Sequence, residues 1–274
     1  MSDDPEPVPG SPGSEKHGSA CDEEIYRRVR RLSRRGFLVA GAAAITGAAG
    51  YQWLRTRPAE DGIPWPLRRM HELNEALATT LSSPQRLAPE YARRQSRMPR
   101  VNGVIGLSDD IEDGAWRLNL IGAADPLVPI RLSMDDIKSM PRVDMVTRLC
   151  CIEGWSEIVH WSGARLADLV LRYPVLLGKN GSNGVAEARY LSVETPDQEY
   201  FVGLDLKSAL HPQTLLCYEM NGAALEPEHG APLRLAIPHK YGIKNLKCVG
   251  TLAFVHERPD DYWGMRGYDF YSGL

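Results

Sequence analysis

The sequence predicts an α+β domain built on a mixed or antiparallel, barrel-like sheet with short helices. From residue 101 onward, short apolar segments of strand type are separated by turn residues and by only a few short helical patterns. A doubly wound parallel sheet has a helix after every strand, and the sequence lacks this alternation. The chain also shows no internal repeat. With 274 residues and 43% hydrophobic content, the chain can form one substantial core.

The amino-terminal segment, residues 1–55, is predicted to be a twin-arginine export signal with a disordered beginning. It contains the stretch SRRGFL, and nineteen uncharged residues, 36–54, rich in Ala and Gly, follow the arginine pair. Nineteen helical residues span about 29 Å, close to the hydrocarbon thickness of a bilayer, so a retained membrane anchor stays open beside a cleaved signal. Both interpretations place the rest of the chain outside the cytoplasm, in the periplasm or an equivalent compartment.

Residues 56–100 are predicted to be a connecting arm that contains an amphipathic helix. Apolar side chains recur at three- and four-residue spacing, at Leu67, Met70, Leu73, Leu77 and Leu81. We expect this stripe to pack on the domain surface rather than to serve recognition. The basic, proline-broken residues that follow predict a loop, with a docking patch for an acidic partner as the alternative.

The domain proper is predicted to span residues 101–274. Residues 134–140 and 162–173 have short helical patterns, and an Asn-Gly pair predicts a hairpin turn after residue 220. The strand patterns cover 116–123, 128–134, 143–154, 188–195, 214–220, 231–237 and 245–257.

Charge and cysteine content exclude two broad classes of protein. The net charge of −3 gives no overall positive field, so we expect no nucleic-acid partner. Five irregularly spaced cysteines do not make a disulfide framework. Two of them, Cys150 and Cys151, are adjacent, and neighbouring residues on an extended chain rarely bridge each other. At least one of this pair is therefore predicted to be a thiol.

Several chemistries are open to these thiols. A nucleophilic cysteine needs a base, and His160 lies nine residues after Cys151, while zinc would need paired ligands that the sequence lacks. Free cysteine also behaves as a small apolar core residue, which suits Cys150, Cys217 and Cys248. Cys151 differs in its neighbours, because an acid and a tryptophan follow it at a strand end. That setting suits a thiolate ligand of a redox metal.

The stretch CIEGW, the W-S-G-x-x-L-x-D-L pattern after it and the long segment 211–249 resemble the molybdopterin-binding domain of the sulfite oxidase family. The resemblance covers roughly residues 101–257 and is greatest to the exported bacterial branch, which includes the catalytic subunits of methionine-sulfoxide-reducing enzymes. It implies a Mo-molybdopterin cofactor with Cys151 as a molybdenum ligand, beside dithiolene sulfurs and oxo or hydroxo groups. Cys150 matches no functional position.

The resemblance also implies the rest of the site. Glu153 is placed beside the metal as a catalytic residue that shapes the pocket or relays protons. Lys240 and Lys244 cluster near the segment expected to close over the phosphate, where they would neutralise an anion or line a solvated loop. The tail residues Trp263, Arg266 and Tyr268 would cover the pocket or form an aromatic surface clasp. The cofactor-binding positions implied are Asn102, Cys151, Thr195, His229, Arg234, Asn245, Leu246 and Lys247.

The expected activity is oxygen-atom transfer at the molybdenum. Sulfite-oxidising members have an Ala-Gly-Asn-Arg type of run where this chain has Ile152, Glu153 and Gly154, so we predict reduction of a neutral S-oxide or N-oxide. No nicotinamide or c-type haem motif occurs, and the branch implies a membrane haem-b protein as electron partner. Because the chain stops at Leu274 without a dimerisation domain, we expect a monomer. The alternatives are a sulfite-oxidising dehydrogenase, a non-catalytic exported pterin-binding protein, and a cysteine hydrolase using Cys151 and His160.

Overall fold

A computed structural model describes residues 19–60, 63–107, 115–123, 127–178 and 187–274. The chain divides into two compact units, with the boundary between Pro58 and Ala59. The beginning that we expected to be disordered, residues 1–18, lies outside the described residues.

The first unit is the long helix α1, Ser19–Arg55. It contains the arginine pair and the whole apolar run, and the stretch Glu23–Arg55 is long and apolar enough to cross a membrane. None of that stretch is buried within the protein. Length and composition therefore suit both a signal helix and an anchor.

The second unit contains, within its described residues, four α-helices and twelve strands, which confirms the predicted α+β class. The helices are α2 Trp65–Leu81, α3 Met134–Lys138, α4 Leu166–Arg172 and α5 Leu206–Ala209. The strands are β1 Ala59–Glu60, β2 Ile63–Pro64, β3 Leu118–Ile121, β4 Ile130–Leu132, β5 Arg142–Cys150, β6 Ser156–Arg165, β7 Tyr190–Glu194, β8 Phe201–Asp205, β9 Leu215–Met220, β10 Ala223–Ala224, β11 Arg234–Ala236 and β12 Thr251–Val255.

Ten of these strands form two open five-stranded sheets. The first sheet has the order β10-β9-β6-β5, with β11 also paired to β9, and all its pairs are antiparallel. The second has the order β4-β3-β12-β7-β8 and is mixed, because β12 runs parallel to β3. The mixed and antiparallel pairing is as predicted. The expected barrel-like closure is not found, since each sheet ends in edge strands.

The sequence did not reveal strand β6, and the helix predicted over residues 162–173 begins only at Leu166. Six consecutive residues of β6 are buried, so the alternation that reveals a half-buried strand is absent. Gly163 lies where the pairing of β6 with β9 shifts register, and a Cβ there would lie 2.1 Å from the carbonyl oxygen of Leu216. Residues 162–165 therefore belong to the sheet.

Two hydrophobic clusters lie on opposite faces of the first sheet, and strand β11 takes part in both. Leu235 belongs to the larger cluster with Leu233 and Ile237, whereas Ala236 belongs to the smaller one with Trp161. Because side chains alternate along a strand, Arg234 points to the same side as Ala236 and Trp161. The strand thus places one guanidinium inside the protein.

Two buried lysines fix the segment between β11 and β12. The Lys244 ammonium forms an ion pair with Asp261 and donates a hydrogen bond to the Gly203 carbonyl oxygen at 2.9 Å. Lys240 donates to the Tyr271 carbonyl oxygen at 2.7 Å and lies 3.6 Å from a carboxylate of Asp205. Both lysines therefore have internal partners, and the expectation that they neutralise a bound anion is wrong. A buried ammonium is tolerated only where fixed acceptors replace its water.

Replacing Lys244 by Met is expected to lower the free energy of unfolding by about 3–5 kcal/mol, because it leaves the Asp261 carboxylate buried and unpaired. The matched control is Arg69→Met, which removes an ion pair with Glu72 on an exposed helix surface and should change stability little. Urea denaturation of both variants measures the difference. Equal stability of the two variants would contradict the role given to Lys244.

Candidate active site

The candidate site begins at the turn that joins β5 to β6. The Cys151 N–H donates to the Trp155 carbonyl oxygen at 2.9 Å, and the Gly154 N–H donates to the Cys151 carbonyl oxygen at 3.1 Å. Gly154 has a φ of +86°, a conformation that glycine adopts without strain. The Trp155 indole N–H donates to a Glu153 carboxylate oxygen at 3.2 Å. The turn therefore holds a thiol, an acid and a tryptophan together.

The two adjacent cysteines have different surroundings, and neither is in a disulfide. Cys150 is the last residue of β5, and burial raises the pKa of its thiol. Cys151 begins the turn and lines a cavity, whereas Cys150 does not. The prediction that the pair contains a thiol is confirmed. Cys217 and Cys248 are buried, as the core interpretation predicts.

Asn102 brings a second segment to the Cys151 thiol. Its side-chain amide donates to the Cys151 sulfur at 3.4 Å. The Lys247 ammonium donates to the carbonyl oxygens of Asn102 at 2.8 Å and Gly103 at 3.0 Å. Three predicted site residues that are far apart in the sequence thus lie side by side.

A turn at His229 and Gly230 brings two further segments of the site together, the one that carries Arg234 and the one that carries Lys247. His229 is buried at the end of a short 3-10 helix, and Gly230 follows with a φ of +96°. A Cβ on Gly230 would lie 2.7 Å from the Cα of Lys247, so only glycine allows this approach. The His229 carbonyl oxygen accepts a hydrogen bond from Arg234 at 3.0 Å.

Arg234 is a buried cation whose partners are all neutral. Its side chain is 3% exposed and lies over the Trp161 ring at 4.8 Å, with one further donor 3.4 Å from the Asn245 carbonyl oxygen. Burial lowers its pKa to about 10. The Nε atom is buried without a hydrogen-bond partner, although Arg234 lines the cavity. Such an unsatisfied donor indicates a missing acceptor.

Lys247 adds to the positive wall around Arg234, and His229 lies beside both cations. Burial, together with the charge of Arg234, lowers the pKa of Lys247 to about 8. Burial also lowers the pKa of His229, and the two nearby cations act in the same direction. Like charges brought this close favour an anion between them.

These groups line one cavity of about 270 Å³, near the lower end of the size range of small-molecule sites. Trp263 and Tyr268 from the carboxy-terminal tail also line it, but Arg266 turns away to donate to the Tyr262 carbonyl oxygen. The structure thus brings together seven of the predicted site residues: Asn102, Cys151, Glu153, His229, Arg234, Asn245 and Lys247. Their roles toward a cofactor stay predictions.

Two predicted cofactor-binding residues do not line the cavity. The Thr195 hydroxyl lies 2.6 Å from the Asp197 carboxylate and accepts from the Tyr200 N–H at 3.2 Å, so it is used within a turn. Leu246 is fully buried in the larger hydrophobic cluster. Asn245 reaches the cavity, but its amide oxygen accepts from the Ile237 N–H at 2.7 Å and so also holds the loop in shape.

Several lining residues were missed by the sequence reasoning. Tyr200 donates its hydroxyl to the Ile243 carbonyl oxygen at 2.7 Å, and Arg100 and Ile105 approach from the segment that carries Asn102. None of them belongs to a motif. Tyr200 follows a strand end by a few residues, and only that position could have drawn attention to it.

The cysteine hydrolase alternative finds no support in the geometry. His160 faces Val146 across the β5–β6 pair, five residues before Cys151, which corresponds to about 16 Å along a strand. Its Nε2 atom lies 2.9 Å from an Asp144 carboxylate oxygen that also accepts from Ser162. His160 therefore cannot serve as a base for the Cys151 thiol.

The donor set fits a metal that brings its own ligands. Within the described ranges, no group of three or more His, Cys, Asp or Glu side chains could hold a metal ion. The cavity offers a single thiol from Cys151 at one wall and unsatisfied positive charge from Arg234 and Lys247 at another. A molybdopterin has a dithiolene-bound metal at one end and a phosphate at the other, and these residues suit that group.

A soft ligand and an anion-binding wall in one cavity define a cofactor-dependent oxidoreductase. Residues 105–263 match the family described as oxidoreductase molybdopterin binding domain. Since the match covers more than half of the chain, the protein belongs to this family, which is the sulfite oxidase family. It is therefore a molybdenum-dependent oxidoreductase with Mo-molybdopterin as cofactor.

Individual relatives agree with the family. A provisionally named protein-methionine-sulfoxide reductase subunit, YedZ1, of Azospira oryzae is 28% identical over 259 residues, 92% of each chain. The protein-methionine-sulfoxide reductase catalytic subunit MsrP of Ralstonia nicotianae is 30% identical over 85% of this chain and 73% of its own. Among solved structures, the sulfane dehydrogenase SoxCD of Paracoccus pantotrophus matches with a TM-score of 0.46 and 19% identity, over 55% of this chain and 41% of that one.

Cys151→Ala is expected to remove one sulfur from the coordination of the molybdenum, because it removes the thiol that lines the cavity. Cys150→Ala is the matched control, since that thiol lies outside the cavity and should leave the coordination unchanged. X-ray absorption at the molybdenum edge compares the two proteins from a molybdate-replete host, and elemental analysis gives their metal content. An unchanged number of sulfur ligands in metal-loaded Cys151→Ala would rule out this cysteine as ligand.

Retention of the cofactor is expected to fall as the pH rises above about 8, because the Lys247 ammonium, with its pKa lowered to about 8, then loses its proton and charge. Lys247→Arg stays charged to much higher pH and should flatten this dependence. Fluorescence of the pterin retained after dialysis at a series of pH values measures the effect. Identical profiles for the two proteins would show that Lys247 does not hold the anionic end.

Proposed function

We propose that this enzyme reduces a neutral S-oxide or N-oxide, using electrons from a membrane haem-b protein on the outer side of the cytoplasmic membrane. The observation that carries the direction is that Glu153 lines the same cavity as Cys151 and is oriented by the Trp155 indole. The names of the relatives, which are methionine-sulfoxide reductase subunits, support the S-oxide as substrate.

Charge favours a neutral substrate over sulfite. A carboxylate that lines the same cavity as the thiol repels an incoming anion. Trp155, Trp263 and Tyr268 give the same cavity aromatic walls, which suit an uncharged thioether or its oxide. The positive wall at Arg234 and Lys247 is left for the anionic end of the cofactor.

The residues of the chain then have separate tasks. When bound, the molybdenum cofactor supplies the two-electron oxygen-atom chemistry. Cys151 would anchor its metal, Arg234 and Lys247 would neutralise its phosphate, and His229 would help to orient it. Reduction of a sulfoxide to a thioether and water consumes two protons, and Glu153 is the acid placed to deliver them.

Export and electron supply belong to the same proposal. The SRRGFL stretch and helix α1 support twin-arginine export, with the helix either cut or kept as an anchor. No haem or nucleotide motif occurs in the sequence, so electrons are taken from another protein. A haem-b protein of the membrane would be within reach of an enzyme held on that side.

A second candidate is sulfite oxidation, which the presence of Arg100 in the cavity wall favours. An exposed arginine there would attract an anionic substrate and partly offset the charge of Glu153. A non-catalytic pterin-binding protein is the third, and a reversible molybdenum signal in electron paramagnetic resonance without turnover of any oxide would support it.

With reduced viologen as electron donor, the purified holoenzyme is expected to reduce methionine sulfoxide, and with ferricyanide as electron acceptor it is expected not to oxidise sulfite. Glu153→Gln should lower kcat for the sulfoxide by roughly tenfold or more, the range of lost proton transfer, with KM little changed because the substrate is neutral. Equal molybdenum content in both proteins excludes loss of cofactor as the cause. Rapid sulfite turnover without sulfoxide reduction would overturn the proposed direction.

A further inference from the structure

Helix α2 packs on the domain through its polar face, whereas an ordinary amphipathic helix packs through its apolar face. The polar residues Arg68, His71, Glu72 and Glu75 recur at three- and four-residue spacing and face the domain, together with Arg258. No residue of the helix is buried. The expectation that its apolar stripe packs on the domain is therefore wrong, because polar contacts occupy the inner face.

Specific bonds hold this polar face in place. Glu75 forms a 3.0 Å ion pair with Arg258, and Arg68 donates to the Gly264 carbonyl oxygen at 3.3 Å. Burial raises the pKa of Glu75 in spite of the nearby arginine, so the carboxylate lies well inside the contact. Gly267 leaves no room for a Cβ against Ile63, just before the helix. The helix cannot turn its apolar side inward without breaking these contacts.

The outer face is a continuous apolar stripe, defined by Leu67, Met70, Leu73, Leu77 and Leu81. These side chains are 45% to 63% exposed. Single exposed leucines are ordinary on protein surfaces, but a row of five apolar side chains on one helix face marks a surface that another molecule or a membrane covers.

The chain itself indicates what covers the stripe. Helix α1 contains a stretch able to cross a membrane and ends at Arg55, only ten residues before Trp65. Ten residues reach at most about 35 Å, so a chain whose α1 is in the bilayer keeps α2 within that distance of the membrane. The start of α2 also has a tryptophan, Trp65, with Arg57 and Arg69 near it in the sequence, as interfacial helices have.

We propose that α2 lies in the surface of the lipid bilayer, with its apolar stripe among the acyl chains and its polar face holding the domain. This interaction surface is separate from the catalytic proposal and does not depend on the substrate. The stripe belongs to the second unit, so it stays with the domain whether or not α1 is cut.

The position of α2 also fixes where the cavity lies. Gly264, which accepts from Arg68, follows Trp263 of the cavity wall, and Tyr268 borders both the cavity and the contact with α2. An α-helix is about 10 Å thick, so a bilayer under α2 brings the cavity rim close to the membrane surface. Electrons from a membrane protein would then have a short path.

The test uses the full-length holoprotein in vesicles of phosphatidylethanolamine and phosphatidylglycerol that contain a photoreactive diazirine confined to the acyl chains. Mass spectrometry is expected to find the label on the stripe and not on Leu171, an equally apolar side chain that is 78% exposed on α4. In Leu73→Gln/Leu77→Gln, labelling at Leu67, Met70 and Leu81 should fall by about tenfold or more, since two of the apolar side chains that enter the acyl region are replaced by polar ones.

The matched control is Leu171→Gln, which should leave labelling of the stripe unchanged, and equal molybdenum content shows that each variant is folded. An unlabelled stripe in vesicles would overturn the proposal. So would sedimentation in detergent that shows dimers lost in Leu73→Gln/Leu77→Gln, since a second copy would then cover the stripe. Sedimentation of the wild type also checks the expectation of a monomer.

Discussion

The site depends on positive charge that the fold buries without a matching carboxylate. Lys244 is neutralised by Asp261 and becomes part of the framework. Within the described part of the chain, Arg234 and Lys247 have only carbonyl oxygens as partners, and the Arg234 Nε has none. Dipoles of neutral groups replace water only partly around a buried cation. In the proposed binding mode, the phosphate of the cofactor would complete the electrostatics of this region as well as bind to it.

The four cations Arg234, Lys240, Lys244 and Lys247 show which roles can be predicted from a sequence and which cannot. All of them lie in one basic stretch, and no pattern of spacing separates those that face the cavity from those that pair internally. Arg234 was assigned through the family resemblance, and alternation along the strand then separates its side chain from the apolar face of Leu233 and Leu235. Lys240 and Lys244 lie in a loop, where only distant acids, Asp205 and Asp261, decide their roles. Long-range partners of this kind are invisible in a single sequence.

The prediction of strands and helices has the same limit, because a sequence pattern does not show what each face contacts. Strands with one buried face, such as β3 and β12, were predicted, whereas β6, which has six consecutive buried residues, was missed. For α2, periodicity gave the helix and its apolar stripe correctly but not what the stripe faces. Cys151 was separated from Cys150 by its neighbours and by family resemblance, while the packing of Gly242 against the backbone of both cysteines required coordinates.

Six separate segments supply the cavity wall, from the neighbourhood of Asn102 to the tail at Tyr268. No fragment of the chain contains them all, and the last one arrives only after both sheets are complete. A ligand that needs every segment at once stabilises the finished protein alone and gains nothing from partly folded forms. Tight cofactor binding thus distinguishes the completely folded protein from partly folded forms, and a cell could use this difference before it releases the chain to its destination.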